Sequence, residues 1–314
     1  MSPTDELLLV RAAELYYEHD KTQDEIGSLL RVTRWKVGRL LAQARQDGIV
    51  RIEIVHPRAH KVSLEHELRQ RHGLRDAVVI PDGDRDELPR RLAAAAADYL
   101  VALRPVPRLL GVSWGRTIDG IADALPAGWA TGVDVVQING GVSRTSRASA
   151  AAFSAISIAE KSGGSATLLP SPAILERRQT RLAIEGDRTV AAVLERGVAA
   201  SAYLYSAGPA DGSSVLVESG YLAASDVQAL LARGAVGDLV GRFIDADGRV
   251  VDEDLDGRTV GIGLDRLRSA NWAIAVIGGQ EKHAVARAVA TSGLCSVLVT
   301  DEETAKAVLQ EVRR

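Results

Sequence analysis

From Ala77 to the C-terminus the chain repeats one local pattern, a short apolar run followed by a loop and an amphipathic helix. The apolar runs that we expect to be strands are 77–80, 108–112, 133–138, 166–169, 202–206, 273–277 and 296–300. Strands joined through helices pair in parallel, and the helices cover both faces of the sheet. The pattern predicts a mostly parallel, doubly wound α/β domain whose strand ends share one edge.

Smaller signals fall within this region. Ser225 is expected to cap a helix that runs to Arg233, and Asp301 is expected to cap the final helix. The run Asp245-Ala246-Asp247-Gly248 separates two apolar segments, 240–244 and 249–251, and predicts a hairpin turn.

Residues 22–50 follow a different pattern, with two helix starts in close succession. Thr22 precedes Glu25 by three residues, which is the spacing of a capping box. Thr33 can cap a second helix, which Gly48 ends. The inward-facing residues of the first helix are expected to be Ile26, Leu29 and Leu30. A short helix, a turn and a longer helix predict a helix-turn-helix.

Flanking segments complete this N-terminal domain. Residues 6–19 are expected to form a supporting helix with Leu8, Ala12, Leu15 and Tyr16 on one side, and residues 49–55 alternate as in one strand of a small wing. We therefore expect a winged-helix-like domain over residues 1–58 and an α/β domain over residues 59–314.

The second helix of the pair carries a local positive charge. Residues 31–51 contain six basic side chains and one acidic one, whereas residues 1–60 contain nine of each. The first turn of a recognition helix enters the major groove, where Arg can read guanine and Lys or Arg can neutralise phosphates. The expected DNA-contacting residues are Thr33, Arg34, Trp35, Lys36 and Arg39. The alternative is a solvated basic helix of an ordinary bundle.

Composition limits the remaining classes of protein. A length of 314 residues suggests about two domains, and a net charge of −3 confines any DNA contact to a patch. The single cysteine, Cys295, excludes a disulfide within the chain and is expected in a reducing cytoplasm. No apolar run approaches the ~20 residues that span a bilayer, so we expect no membrane segment.

Three glycine-bearing loops are expected at the carboxyl ends of strands, where ligands of open α/β sheets bind. The first, residues 111–117, leads into a helix and contains Ser113, Arg116 and Thr117. Glycines allow close approach of an anion to the backbone, and a helix start favours negative charge. Without the ending of a P-loop, this loop is equally compatible with a phosphate site and with a plain tight turn.

The other two loops strengthen the case for an anion site. One is Asn139-Gly140-Gly141, followed by Ser143, Arg144 and Arg147, and the other is Gly278-Gly279 with Lys282. Each charge taken singly could be an ordinary surface charge beside a loop. Their common position at one sheet edge favours a site for a small anionic ligand.

Residues for catalysis or metal binding are not singled out. His283 is the only histidine in the strand–helix region, no Cys/His cluster has metal spacing, and no serine lies in a nucleophile elbow. Asp119, Asp238 and Glu281 could in principle supply acid–base chemistry for a sugar-phosphate isomerase. We expect no catalytic residue, no metal and no cofactor.

The chain resembles the SorC/DeoR family of bacterial sugar-responsive transcriptional regulators over nearly its whole length. The segments that carry the resemblance are 23–26, 33–41, 44–50, 111–117, 234–238, 242–243, 245–248, 278–279 with Lys282, and 300–301 with 304–305. The segment 144–150 and the Ser206-Ala207-Gly208 position depart from the family pattern.

The resemblance implies an effector domain similar to sugar-phosphate isomerases, without their activity, and a homodimer or homotetramer on operator DNA. It implies that Gln23 joins the DNA-contacting residues and that the effector is a phosphorylated sugar or polyol. Under the resemblance Ser113, Arg116 and Thr117 hold phosphate together with Gly140 and Gly141, Lys282 holds a second anionic or hydroxyl group, and Asp238 faces the sugar hydroxyls. The remaining implied effector-binding residues are Trp114, Gly115, Gly278 and Gly279.

The expected mechanism is a repressor or activator whose effector prefers one of two arrangements of the protein. Residues 62–72, an amphipathic helix ended by Gly73, would transmit the change, by pairing with a second copy or as a spacer packed on the next domain. Two other readings are an isomerase- or deaminase-like enzyme with a DNA module, and a scaffold whose basic helix binds an acidic partner.

Overall fold

The computed structural model describes residues 3–50, 60–141, 148–212 and 214–310. Backbone contacts divide the chain into two compact units, Met1–His56 and Pro57–Arg314. The expected strand of a wing and the expected boundary near residue 58 involve residues 51–59, which lie outside the described ranges.

The N-terminal unit contains three helices, α1 (Pro3–Tyr17), α2 (Gln23–Leu30) and α3 (Arg34–Gln46). The capping box at the start of α2 is confirmed, because Glu25 N donates to Thr22 Oγ1 and Thr22 N donates to a Glu25 carboxylate oxygen (2.8 Å). Thr33 caps α3 by accepting from Lys36 N (3.2 Å), as expected. Between the helices, Arg31 adopts a left-handed conformation (φ 54°) that ends α2. The result is a helix-turn-helix.

A small apolar core holds these helices together. Its fully buried members are Leu9, Ala12, Ala13, Ile26, Val37, Leu41 and Ala44. Leu29, expected inside, is instead 60% exposed, because an eight-residue helix presents only one narrow face to its neighbours. On α1 the expected Ala12 is buried and Leu15 packs against this core, whereas Tyr16 is exposed; Leu9 and Ala13, which were not expected inside, are buried as well. At Gly27, helix α2 lies close to the turn that precedes α3, since a Cβ there would lie 2.8 Å from the carbonyl oxygen of Val32.

The larger unit is built on a seven-stranded parallel sheet with the order β1-β10-β9-β5-β2-β3-β4. Its strands are β1 (Asp76–Ile80), β2 (Leu109–Val112), β3 (Asp134–Gln137), β4 (Ala166–Thr167), β5 (Ala202–Tyr205), β9 (Ala273–Val276) and β10 (Val297–Asp301). A smaller antiparallel sheet contains β6 (Ala207–Pro209), β7 (Gly237–Leu239) and β8 (Arg242–Ile244). The predicted mostly parallel architecture is confirmed.

Helices follow the strands as the sequence pattern indicates. In chain order they are α4 (Val62–His72), α5 (Leu88–Ala102), α6 (Arg116–Ala124), α7 (Ala148–Glu160), α8 (Arg178–Glu185), α9 (Arg188–Val198), α10 (Val215–Glu218), α11 (Ala224–Ala232), α12 (Glu253–Arg258), α13 (Leu264–Arg268), α14 (His283–Thr291) and α15 (Glu302–Leu309). Alternate residues of one strand point to opposite layers, so Val78 belongs to the core that contains α5 and α6, while Val79 belongs to the core that contains α4 and α14. This alternation gives the sheet two separate cores.

The order of the strands reverses between β2 and β5. After β2 the chain continues outward to β3 and β4, and it then returns to place β5 on the other side of β2 before continuing to β9 and β10. Loops that leave two such neighbouring strands diverge to opposite faces, which opens a crevice at the carboxyl ends. The crevice after β2 and β5 is therefore where a ligand site is expected.

Several local expectations need correction. Ser225 does not cap α11, because the helix begins two residues earlier than that cap would require, at Ala224, and Ala223 occupies the cap position. The hairpin turn at 245–248 is present, with Asp245 N donating to Arg249 O (2.8 Å), but β8 pairs mainly with β7, which the sequence analysis missed. Asp301 does cap α15, through a hydrogen bond from Thr304 N (2.9 Å).

Helix α4 packs directly on the α/β unit. Leu68 is fully buried in the core, and the Glu65 carboxylate accepts a hydrogen bond from Val79 N of β1 (2.9 Å). At the other end, Arg71 donates to the carbonyl oxygen of Leu309 (3.2 Å), beside α15. Of the two roles considered for this helix, the packed spacer is the one that these contacts support.

Candidate functional site

The first turn of α3 forms an exposed polar and aromatic surface on the N-terminal unit. Trp35 is 86% exposed and contributes nothing to the small core, while Val37 behind it is fully buried. Arg34 lies 3.5 Å from the Asp24 carboxylate, and both side chains are largely exposed, so the pair is weak and open to competition from phosphate. Thr33, Arg34, Trp35 and Arg39 are all exposed, and Lys36 is half-buried.

Gln23 lies beside this surface rather than on α3 itself. It is the first residue of α2, and a Cβ on Gly38 would lie 3.4 Å from its Oε1. The side-chain amide therefore crosses toward the middle of α3. The six expected DNA-contacting residues thus belong to the two helices of one helix-turn-helix.

The α/β unit has an inner cavity of about 60 Å³ at the crevice after β2 and β5. The polar and charged residues that line it are Ser113, Arg116, Thr117, Asn139, Ser206, Asp238 and Lys282. Trp114, Gly115, Pro209, Val240 and Gly241 are among the other residues of its wall. Seven of the predicted effector-binding residues, Ser113 through Thr117 with Asp238 and Lys282, are therefore brought together.

The loop after β2 supplies one wall of this inner cavity. Ser113 is buried and its N–H continues the sheet by donating to Leu204 O of β5 (3.0 Å). Gly115, at φ 123°, precedes the first residue of α6, and within the described chain no side chain caps this helix. The first N–H groups of a helix lack partners inside the helix and carry partial positive charge. Thr117 and Ser206 bring their hydroxyl oxygens within 3.4 Å of each other beside this helix start.

Asp238 and Lys282 introduce opposite charges into the same inner cavity. Burial raises the pKa of Asp238 to about 6, although the Gly241 N–H and Lys282 both favour its ionised form. Burial also lowers the pKa of Lys282, and nearby Arg116 lowers it further, while Glu281 and Asp238 act in the opposite direction. Two partly desolvated groups of opposite sign in one cavity are typical of a binding site.

Gly140 and Gly141 do not line the inner cavity. Gly140 N donates to Val260 O (3.0 Å) and Gly141 N donates to Ser171 O (2.8 Å), so neither N–H is directed to a ligand. A Cβ on Gly140 would lie 2.2 Å from the carbonyl oxygen of Pro172, which explains the glycine by close packing. Trp114 reinforces this contact, because its indole N–H donates to Gly140 O (2.7 Å).

An outer basin of about 510 Å³ adjoins the inner cavity along Arg116, Thr117, Pro209 and Lys282. Gly278 and Gly279 line this basin rather than the inner cavity, together with Leu88, Pro89 and Leu92 at the start of α5. Gly279 N donates to the Asp301 carboxylate (2.9 Å), which fixes the loop after β9 to the cap of α15.

Two polar residues of the inner cavity were absent from the predicted set, Asn139 and Ser206. Each follows a buried parallel strand closely, and that position was the signal that could have identified them. Ser143, Arg144 and Arg147, which were expected near the site, lie outside the described residues.

Other kinds of site find no support in the described part of the chain. It contains no group of three or more His, Cys, Asp or Glu side chains arranged to hold a metal ion. Burial raises the pKa of Cys295 to about 12, so this thiol is not poised for nucleophilic chemistry. Among the helices described, none combines the length and the apolar character that a bilayer crossing requires.

Comparisons with known proteins agree with this arrangement. Residues 56–310 match the family described as "Putative sugar-binding domain". The deoxyribonucleoside regulator of Bacillus subtilis is 31% identical, with 97% of this chain and 98% of the relative covered. The erythritol catabolism regulatory protein EryD of Brucella abortus is 30% identical, with 98% of each chain covered.

Solved structures lead to the same class. The full-length sorbitol operon regulator SorC from Klebsiella pneumoniae is similar with a TM-score of 0.73 and 29% identity, covering 98% of this chain and 99% of that one. A helix-turn-helix unit together with a parallel α/β unit that has a cavity at its switch point defines a two-domain transcriptional regulator rather than an enzyme. The chain belongs to the SorC/DeoR family of sugar-binding transcriptional regulators.

Proposed function

We propose that this protein binds operator DNA as a homodimer or homotetramer and that a phosphorylated sugar or polyol controls the binding. The observation that carries the proposal is the composition of the inner cavity, which is lined by the start of α6, by Lys282 and by Asp238. The deoxyribonucleoside, erythritol and sorbitol named for the relatives indicate small polyhydroxylated effectors. Because its target is operator DNA, we place the protein in the cytoplasm.

The phosphate is the group that the α6 end of the cavity suits best. The N–H groups of the first turn carry partial positive charge, and the Thr117 hydroxyl and two cationic side chains, Arg116 and Lys282, line the same cavity. Arg116 also lies 3.6 Å from Glu218 of α10, and both side chains are partly exposed. An incoming phosphate competes with Glu218 for the guanidinium, so ligand binding would displace α10 from this contact.

The sugar hydroxyls suit the Asp238 end of the cavity. An ionised carboxylate accepts hydrogen bonds from hydroxyls and repels a phosphate, which orients the effector. The inner cavity has about the volume of two water molecules, taking roughly 30 Å³ for each. We therefore propose that a five- or six-carbon effector also reaches into the outer basin or widens the inner cavity.

For the DNA-binding unit, we propose that the first turn of α3 enters the major groove. Arg34 and Lys36 would contact bases or phosphates. Trp35 is 86% exposed and takes no part in the small core, so packing within the described unit does not account for this aromatic side chain. Half-sites read by two copies would be about one helical turn apart, ~34–36 Å. The effector acts as a switch only if it binds two arrangements with different affinity.

The test is fluorescence anisotropy of the full chain on DNA from upstream of its own gene. Titrations with sorbitol and with terminally phosphorylated sorbitol, glucose and ribose should show a response only to phosphorylated compounds. Lys282→Met should weaken that response at least about tenfold, as expected for a lost charge-assisted hydrogen bond. The control Arg108→Gln removes an exposed charge at the opposite end of β2 and should change nothing.

The DNA arm of the same experiment uses Lys36→Gln. Loss of one phosphate contact should lower the slope of affinity against salt concentration by about one, without changing sequence preference. A full chain that binds no specific site at moderate salt would contradict the DNA-binding part. A response to sorbitol equal to that for its phosphate would contradict the phosphorylated effector.

A further inference from the structure

Asn139 is a buried side chain whose amide has no hydrogen-bond partner among the described residues. It is 1% exposed, and both Nδ2 and Oδ1 are unpaired. The residue lies two positions after the end of β3 and lines the inner cavity. A buried amide without a partner costs free energy, so it is rarely retained without a role.

The backbone around Asn139 is held firmly, so the side chain has little freedom to turn elsewhere. Gln137 Nε2 donates to the carbonyl oxygen of Asn139 (2.8 Å), and Asn139 forms an antiparallel bridge with Gly261. A Cβ on Gly261, which has φ 142°, would lie 2.8 Å from Asn139 Cα. On the other side, Gly140 packs against the Pro172 carbonyl. Two glycines thus let neighbouring backbone close around one asparagine.

A purely structural role does not account for this side chain. Gln137 is equally buried and comes from the same strand, and its amide bonds the backbone as a structural amide does. Asn139 makes no such bond within the described chain, although it is surrounded by backbone. Among the described residues, the buried Asn139 amide is therefore available to a ligand, whereas the Gln137 amide is not.

We infer that Asn139 is a specificity-determining residue that binds a pair of adjacent hydroxyl groups on the effector. This inference rests on the proposed function, and it deepens it by defining the effector as a phosphate ester that carries a vicinal diol. An amide offers both a donor and an acceptor, and two hydroxyls satisfy both at once. A phosphate dianion can only accept, so it would leave Oδ1 unpaired.

Charge in the inner cavity supports the same assignment. The cationic and helix-start groups belong to the loop after β2 and to Lys282, whereas Asn139 is neutral and shares the cavity with the Asp238 carboxylate. Asn139 and Asp238 together provide two or more acceptors and one donor group for hydroxyls. A site built to bond a hydroxyl rejects the analogue that lacks it, because its own polar atoms are then left unpaired.

The experiment measures binding to the full chain by titration calorimetry. A panel of terminally phosphorylated ribose, glucose and sorbitol identifies the tightest sugar phosphate, and its single-deoxy analogues are then compared with it. The wild type should lose roughly ten- to a hundredfold in affinity for at least one deoxy analogue. Leucine is close in size to asparagine, and the Asn139→Leu variant should bind the sugar phosphate and that deoxy analogue with affinities within about threefold of each other. The variant should still bind inorganic phosphate as tightly as the wild type does.

Two further variants keep the test decisive. Aspartate has the same shape as asparagine, so Asn139→Asp covers the case in which Asn139→Leu does not fold. An aspartate lacks the N–H donor, and this variant should bind the fully hydroxylated compound at least about tenfold more weakly than the wild type does. Asn271→Leu changes an exposed asparagine before β9 and should retain the wild-type preference.

The inference is overturned if the wild type does not distinguish the deoxy analogues, or if the preference survives unchanged in both Asn139 variants; the proposed function then still stands. A wild type that binds none of the sugar phosphates overturns both.

Discussion

Replacing Asp238 by asparagine should stabilise the protein at neutral pH, although the residue lines the inner cavity. Burial raises the pKa of this carboxyl from 3.8 to about 6, with the Gly241 N–H and Lys282 acting against the shift. The folded state therefore holds a proton that the unfolded chain has already released between these two pH values. Stability is full below about pH 3.8 and falls as pH rises to about 6, because the unfolded state binds fewer protons.

The magnitude follows from the size of the pKa shift. One pKa unit corresponds to about 1.4 kcal/mol, so ionised Asp238 costs roughly 3 kcal/mol at neutral pH. Asparagine has the same shape and no charge, and it avoids this cost at every pH. The free energy of unfolding of Asp238→Asn, relative to wild type, should increase by about 2 kcal/mol from about pH 4.5 to about pH 7.5.

The assay is urea unfolding of both proteins at these two pH values, followed by near-UV circular dichroism. Asp265→Asn serves as the control, because the Asp265 side chain is 97% exposed and is not desolvated by folding. If the difference in the free energy of unfolding between Asp238→Asn and wild type is the same at both pH values, the reasoning is refuted. A variant that is less stable than wild type at neutral pH would refute it as well.

Two further predictions concern the backbone around each site. Gly140→Ala should lower the free energy of unfolding by about 1–3 kcal/mol, since its Cβ would meet the Pro172 carbonyl at 2.2 Å, whereas Gly141→Ala has its nearest contact at 3.9 Å and should be almost neutral. Equal denaturation midpoints for the two alanine variants would contradict this. Thr33→Ala removes the bond from Lys36 N and should destabilise the N-terminal unit by about 1 kcal/mol in thermal unfolding, while Thr33→Ser should not. A Thr33→Ala variant as stable as wild type would show that the cap is unimportant.

The parallel sheet could be predicted because each of its strands is an apolar run that is buried on both faces. Such runs leave a strong signal in the sequence, and all seven were found, although several boundaries differ by one or two residues. Strand β7 left no such signal. It is three residues long and reads Gly-Asp-Leu, and its extended form depends on pairing with β6 and β8. Short strands of this kind are set by non-local contacts.

The candidate effector site was predictable in outline for a related reason. Loops after parallel strands meet at one edge, so Ser113 and Lys282 could be assigned to a common site without knowledge of strand order. Sequence could not show which groups of the loop after β3 face the cavity. Gly140 and Asn139 are neighbours, yet the glycine packs against the carbonyl of Pro172 and the asparagine lines the cavity, and both positions depend on non-local contacts.

The N-terminal unit illustrates the limit of helical periodicity. The pattern at 22–30 placed both Leu29 and Ile26 inside, but the described part of the unit buries its core among three helices. With so little surface to cover, one apolar side chain per turn is sufficient, and Leu29 remains exposed. The exposure of Leu29 depends on the size of the domain, and a local sequence pattern gives no information about that size.

The reversal of strand order beside β2 has a consequence for how such regulators diversify. The lining of the inner cavity comes from four connections, those that follow β2, β3, β5 and β9, and none of them contributes to the pairing of the seven main strands beyond its first residue. A substitution in one connection can therefore alter which metabolite is recognised while the other three and the scaffold beneath them stay the same. A single architecture can in this way serve many catabolic operons, each with its own inducer.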